Sequence, residues 1–344
     1  MDFDPGSGMM KCVSCGSTEE VPKGTATLIA HALEDALKHV TPLSAEALQV
    51  TCSGCGSVVV FTPPEVAGAC SFCGMTIVAQ PKAADPMIAP DGVLPVKVTK
   101  DAAQKEVREW ISSRWFAPNA LQKMAQQEGI AGVYLPFWTY AADTASQYSG
   151  ARGVHYWETE YFTTQDSNGN QVQESRQVMR TAWSNASGQV GRKFSDLLVP
   201  ATKSVNEQRL DALEPWDLPS LCAYEPEYLA GFKAQRYQIE LPDGFEKAKR
   251  IMERQIEQDV RKDIGGDEQR INQVNTQTSN ETFQHLLLPV WIGAYRFQGK
   301  VFQVVVNART GEVQGERPYS AMKITLLVFG IIFLILILWV MGQR

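Results

Sequence analysis

The chain has no surplus of positive charge. Its 32 Lys and Arg stand against 38 Asp and Glu, a formal net charge of −6. Phosphate contact needs a cationic surplus on at least one face, so a dedicated nucleic-acid binder is disfavoured. Seven cysteines among 344 residues are too few for a disulfide scaffold, and 26 glycines are too few for a collagen-like repeat. Sequence signatures of catalysis are missing as well. There is no G-x-x-x-x-G-K-[ST], no G-x-S-x-G, no H-E-x-x-H and no G-x-G-x-x-G. The reading is therefore not an enzyme. The amino terminus, MDFDPGSGMMKC, has no basic stretch leading into an apolar one, so no export signal is expected. What the chain does have is apolar content, 44%, enough for packed cores over a length that accommodates roughly two domains.

Six of the seven cysteines fall in three copies of one pattern. These are Cys12-Val-Ser-Cys15-Gly, Cys52-Ser-Gly-Cys55-Gly and Cys70-Ser-Phe-Cys73-Gly. A shuffled chain of this composition holds about 0.14 C-x-x-C pairs, so three are a signal. Each turn aims two sulfurs at one point, and the glycine suits the left-handed backbone that follows. Cys52, Cys55, Cys70 and Cys73 read C-x2-C-x14-C-x2-C, a tetrahedral four-thiolate site for Zn²⁺. Ser57–Thr62 reads as a strand, Pro63-Pro64 as a turn and Met75–Ala79 as a second strand. Together they predict a zinc ribbon over 50–80. Redox pairs or disulfides need a βαβ context or an oxidising compartment that nothing here indicates.

Cys12 and Cys15 have no second pair before Cys52, which leaves a possible second site incomplete. His31 and His39 are conceivable ligands, but the pattern places both on a helix over 28–40. Eight residues apart on a helix means about 12 Å along its axis, too far to share an ion. The knuckle is then either vestigial or completed separately, by a partner or a second copy. The ribbon itself has little to offer phosphates. Between Val50 and Gln80 the single charged side chain is Glu65, and residues 1–49 carry three lysines against seven acidic groups.

Prolines at 81, 86, 90 and 95, with Asp91-Gly92, mark 81–95 as a stiff linker. The body at 96–320 predicts an α+β fold with antiparallel sheet. A helix is expected over 101–114, with Ala103, Val107, Trp110 and Ile111 on one face, and another over 119–127. Leu-Pro-apolar-Trp recurs at Leu135–Trp138 and Leu288–Trp291, where each Trp is most simply core. Val154–Phe162 and Gln171–Met179 read as strands about a turn at 166–170. Phe245, Ala248, Met252, Ile256, Val260 and Ile264 sit at helical spacing, stopped by Gly265-Gly266. A last hairpin pairs Ala294–Phe297 with Val301–Val306. Cys222, the unpaired thiol, reads as a small buried apolar group, since His155 and His285 are distant in sequence.

Ile324–Met341 carries no charge, and 18 residues make about 27 Å of helix against a hydrocarbon core of about 30 Å. The expectation is a single C-terminal transmembrane helix over 324–341. Arg309, Arg317 and Lys323 precede it and only Arg344 follows. That places the body, residues 1–49 included, on the cytoplasmic side of a bacterial inner membrane.

An ordered series of segments also resembles a known family. Cys52–Cys73, Leu94–Val98, Gly132–Asp143, Tyr228–Phe232, Leu288–Trp291, Val306–Val313 and Pro318–Ser320 occur in the order found in the bacterial zinc-ribbon membrane proteins of the YdjG type. Such proteins carry labels such as TFIIB-type zinc ribbon, or primosomal protein N′ and helicase-like. The helicase label rests on cysteine knuckles alone, and the missing P-loop argues against it. The resemblance implies a membrane-bound accessory protein associated with flotillin-like (SPFH) or phage-shock-type systems. It also implies two ribbons of four cysteines, from which this chain departs at Cys12 and Cys15. The functional expectation is a tail-anchored zinc-ribbon scaffold that recruits protein partners, and the alternative is a membrane tether for nucleic acid.

Overall fold

The computed structural model describes residues 2–12, 14–21, 28–36, 48–61, 67–70, 72–73, 76–78, 82–83, 88–113, 129–165, 170–297, 300–316 and 321–342. The chain divides into two compact units. The first comprises 1–139, 200–244 and 284–344, and the second 140–199 and 245–283. The helix expected over 119–127, the turn at 166–169 and His39 lie outside the described residues.

The first unit opens with β1 (Asp2–Asp4), β2 (Met9–Lys11) and β3 (Thr18–Glu19), an antiparallel sheet in which Phe3 faces Met10. The stretch read as a helix over 28–40 is different. Residues 28–30 are irregular, β4 (His31–Ala32) is a strand, and only α1 (Leu33–Ala36) is helical before the description stops at 36. The helical argument separating His31 from His39 therefore does not apply, and His31 Nε2 lies 2.7 Å from Asp91 Oδ1. Next come β5 (Leu48–Thr51), β6 (Val58–Phe61), β7 (Ala67–Ala69), β8 (Thr76–Val78) and β9 (Lys82–Ala83). They form a sheet ordered β6-β5-β9 and a separate β7-β8 pair.

The core of this unit forms around β10 (Gly92–Val93), α2 (Lys100–Ser112) and parts of longer strands. Thr99 caps α2, its hydroxyl accepting from the Ala102 N–H at 3.3 Å, and Ala103, Val107 and Ile111 are buried. Both tryptophans of the repeated Leu-Pro-apolar-Trp segments are interior. Trp138 donates from Nε1 to Ile239 O (2.9 Å) and Trp291 to Val98 O (2.8 Å).

His285 packs against Trp138 and Tyr237, with Nδ1 3.0 Å from Ile88 O. Burial pushes its imidazole down to about 4, so it stays neutral in the folded chain. Unfolded, it takes a proton below about 6.5. Stability tied to this group is therefore complete above that pH and is lost as pH falls toward 4, by about 3 kcal/mol in total. Urea unfolding at pH 7 and pH 5 should show about 2 kcal/mol of this loss in the wild type and none of it in His285→Phe. Equal pH slopes for the two proteins would exclude it.

The second unit is built from segments of β11 (Ala131–Gln165), β12 (Gln171–Pro200), α4 (Leu241–Ile264) and β15 (Glu268–Phe297). Between them in the chain, within the first unit, lie α3 (Glu207–Asp211), β13 (Cys222–Ala223) and β14 (Lys233–Ala234). Ala142, Thr144, Ser146, Tyr148 and Gly150 alternate inward along β11. The expected apolar face of α4, Phe245 through Ile264, is buried at all six positions. Gly265 and Gly266, at φ +64° and +77°, end the helix. Arg192 grips Asp259 with two bonds (2.6 and 2.7 Å), and Tyr148 donates to Asp263 at 2.6 Å. Farther along the β11–β12 ribbon, Trp157 and Tyr161 are 68% and 66% exposed, and Met179 is exposed too. Gln177 donates to Thr159 on that face, while Arg176 pairs with Glu160 on the other.

The chain closes with β16 (Lys300–Asn307), β17 (Val313–Gly315) and α5 (Ala321–Gly342). β15 and β16 pair antiparallel as the last hairpin, Ala294 opposite Gln303.

Two expectations are corrected. The body is not the α+β fold with antiparallel sheet that was expected. It is mostly sheet, dominated by strands of 35, 30 and 30 residues, with parallel pairings of β10 with β15 and β14 with β11. Gly150 lies inside β11. At Gly150 an added Cβ would stand 2.2 Å from Arg270 O, so the glycine is what lets neighbouring backbones approach.

The transmembrane helix over 324–341 is the second correction. Among the described residues no helix is long and apolar enough to cross a membrane. The side chains at 321, 324, 338 and 340 lie outside the description. The membrane anchor is withdrawn, and with it the tail-anchored, single-pass inner-membrane location derived from it.

Candidate metal centre

Each knuckle of the ribbon is the loop of a short hairpin. β5 and β6 pair with Thr51 opposite Val58, so residues 52–57 must turn within six positions. The Cys52 N–H donates to Ser57 O (2.8 Å), the Gly56 N–H donates to Cys52 O (2.9 Å), and Gly56 takes φ +72°. β7 and β8 pair with Ala69 opposite Thr76, which brings Cys70 and Cys73 to the end of the second hairpin.

The four sulfurs converge, all within 4.8 Å of one another. Cys52 Sγ lies 3.6 Å from Cys73 Sγ, and Cys55 Sγ lies 3.7 Å from Cys70 Sγ. With metal–sulfur bonds of about 2.3 Å, a tetrahedral ion needs sulfur–sulfur edges of about 3.8 Å. These four cysteines can hold a metal ion. Cys52 (1% exposed) and Cys70 (2%) are buried, as are Val50, Val59 and Phe72, while Cys55 is exposed and Cys73 half-buried.

The surroundings act on the ribbon thiols in opposite directions. At Cys52 burial raises the thiol, but the Gly54 and Cys55 N–H groups outweigh it and the net shift is downward. At Cys55 burial prevails and the thiol is raised. The Phe72 N–H points at Cys70 Sγ from 3.4 Å. Ser57, itself buried, places its hydroxyl 3.1 Å from Cys55 Sγ and 3.3 Å from Cys70 Sγ. Reading for cysteines alone missed Ser57 as a partner of the site. Its signal was present, because the first knuckle also reads Cys-Gly-Ser, at Cys15-Gly16-Ser17.

That first knuckle has the same local geometry. The Cys12 N–H donates to Ser17 O (2.8 Å), the Gly16 N–H donates to Cys12 O (2.9 Å), Gly16 takes φ +75°, and Cys15 Sγ lies 3.1 Å from Ser17 Oγ. The Ser17 hydroxyl, with its backbone N–H, brings the Cys15 thiol down to about 7. Cys12 is half-buried and Cys15 exposed. Among the described residues, the one group of three or more possible ligands is Cys52, Cys55, Cys70 and Cys73, so no third ligand joins Cys12 and Cys15 there.

The remaining candidates are not brought together. Cys222 is half-buried rather than buried, its Sγ 3.8 Å from Ser220 O with Tyr228 also bonded to it. His155 belongs to the second unit, where it meets Glu268 at 2.9 Å, and His285 is enclosed in the first.

The chain is similar to an uncharacterised protein of Bacillus subtilis (strain 168), YdjG. It is 25% identical to that protein over 247 residues, which cover 71% of this chain and 68% of that one. No family model and no solved structure matches the chain.

Proposed function

We propose that Cys52, Cys55, Cys70 and Cys73 hold a structural Zn²⁺ and that the protein is a non-catalytic adaptor for protein partners. The observation that carries the zinc reading is the convergence of the four sulfurs within 4.8 Å of one another, with separations of 3.6 and 3.7 Å between the two knuckles. Four thiolates fill a tetrahedral ion and leave no position for water or substrate, the arrangement of structural rather than catalytic zinc. Soft thiolates favour zinc over magnesium, calcium or manganese.

Support for protein contact comes from the β11–β12 ribbon. Trp157, Tyr161 and Met179 are exposed beside Thr159 and Gln177, an uncharged aromatic face of the kind that protein interfaces enrich. The acidic balance and the lack of charge around the ribbon cysteines favour protein over nucleic acid. The flotillin-like and phage-shock-type proteins implied by the family resemblance are the first partners to assay.

The test is affinity recovery of those partners with and without nuclease, using the wild type and the double variant Trp157→Ser/Tyr161→Ser. Both side chains are exposed, so the variant keeps its fold. Recovery should fall about tenfold or more, as when interface aromatics are truncated, and nuclease should change nothing. Unchanged recovery by the variant would sink the adaptor reading. Recovery that collapses with nuclease would replace it with nucleic-acid binding.

A further inference from the structure

The knuckle at Cys12–Ser17 is folded as a ligand pair and, among the described residues, has half of a coordination shell. Its two backbone hydrogen bonds match those at Cys52–Ser57 in length, 2.8 and 2.9 Å in both. Its glycine sits within a few degrees of the other in φ, and its serine hydroxyl stands the same 3.1 Å from the second sulfur. The turn lies between paired strands, Lys11 opposite Thr18, in a sheet whose Phe3 and Met10 belong to the core of the first unit, so it needs no metal to form. At Cys52–Ser57 the same geometry meets a second knuckle. At Cys12–Ser17 it faces outward, with Cys15 exposed.

We infer that two copies of this chain share one Zn²⁺ through Cys12 and Cys15 of each, making the protein a metal-linked dimer. A two-fold axis through the ion presents the same two sulfurs from both copies and completes four thiolates without any other ligand type. One Zn²⁺ and four thiols give the four-thiolate complex and release four protons, leaving a charge of −2. Lys11, adjacent to Cys12 and exposed, brings one positive charge per copy to offset it. The metal supplies the contact energy, so a small contact area suffices.

The stoichiometry is distinctive. The site shared between copies adds half a zinc per chain to whatever the ribbon holds, so its readout does not depend on the ribbon reading. The test is native mass spectrometry of the zinc-loaded full chain, kept in mild detergent because α5 exposes its apolar side chains. The expected species is a dimer with three zinc ions, 1.5 per chain. Cys12→Ser/Cys15→Ser should be a monomer with 1.0 per chain. A dimer with a single zinc would leave the inference standing and remove the ribbon site instead. A wild-type monomer with one zinc would overturn the inference. So would a monomer with two, which would mean that ligands within the chain complete the knuckle. The wild-type measurement decides the matter even if the double variant fails to fold.

Discussion

Chelation of the zinc-loaded chain should unmask the four ribbon thiols together and unfold the ribbon. Cys52 and Cys70 are almost fully buried, and in the loaded protein both are bonded to metal as well as covered. Alkylation should be slow at all four ribbon cysteines until chelator is added, and then fast at all four. The reason for unfolding is the smallness of the structure involved. β5 to β9 are two to four residues each, too short to hold together on strand pairing and a few apolar contacts. Structural zinc contributes on the order of 10 kcal/mol in small zinc-binding folds. Even a third of that exceeds what these strands can supply alone. Cys70→Ser/Cys73→Ser should reproduce the chelated state, with the loss of one zinc per chain measured by plasma mass spectrometry. Its α4 helix, in the other unit, should keep its far-UV signal. Four thiols that stay protected after complete chelation would show that the cluster holds by packing rather than by metal.

Trp138→Ala should be the most damaging single change in the first unit. The indole is fully enclosed, packs tilted against Tyr237 and His285 with ring centroids 4.9 and 4.8 Å away, and donates to Ile239 O at 2.9 Å. Removing it leaves a cavity as well as a lost transfer term, about 3–5 kcal/mol. It also leaves the Ile239 carbonyl without its donor. Trp138→Phe separates the two effects. It keeps most of the ring packing and forfeits the hydrogen bond, so about 1–3 kcal/mol should be lost. Chemical denaturation of both variants checks the order. Equal losses would mean that the hydrogen bond, not the ring volume, dominates at this position.

Much of the candidate site was legible because its chemistry is local. C-x-x-C-G-S encodes a turn, a left-handed glycine and a serine within reach of the second sulfur. All of these depend on neighbours within six positions. The convergence of the two ribbon knuckles followed from spacing, since two hairpins fourteen residues apart leave little freedom in where the sulfurs point. The apolar face of α4 was legible for the same reason, as its six buried positions repeat at helical intervals.

Sequence alone thus determined the features whose periods and spacings are short: the knuckles, the α4 face, the apolar face of α2 and the last hairpin. Tertiary structure decided the rest. His31 lies on a strand because β4 pairs with β15, a partner remote in sequence. Asp91, which meets His31 and also accepts from the His285 N–H, is remote in sequence from both. Gly150 continues a strand because the backbone at Arg270 comes close enough to exclude a Cβ. Strand length belongs to this second class because a strand's hydrogen bonds are made to another segment. Where that segment lies, and how far pairing runs, is settled only when distant parts of the chain meet. A helix closes its bonds within four residues, and a knuckle within six, so both can be read before anything else has folded.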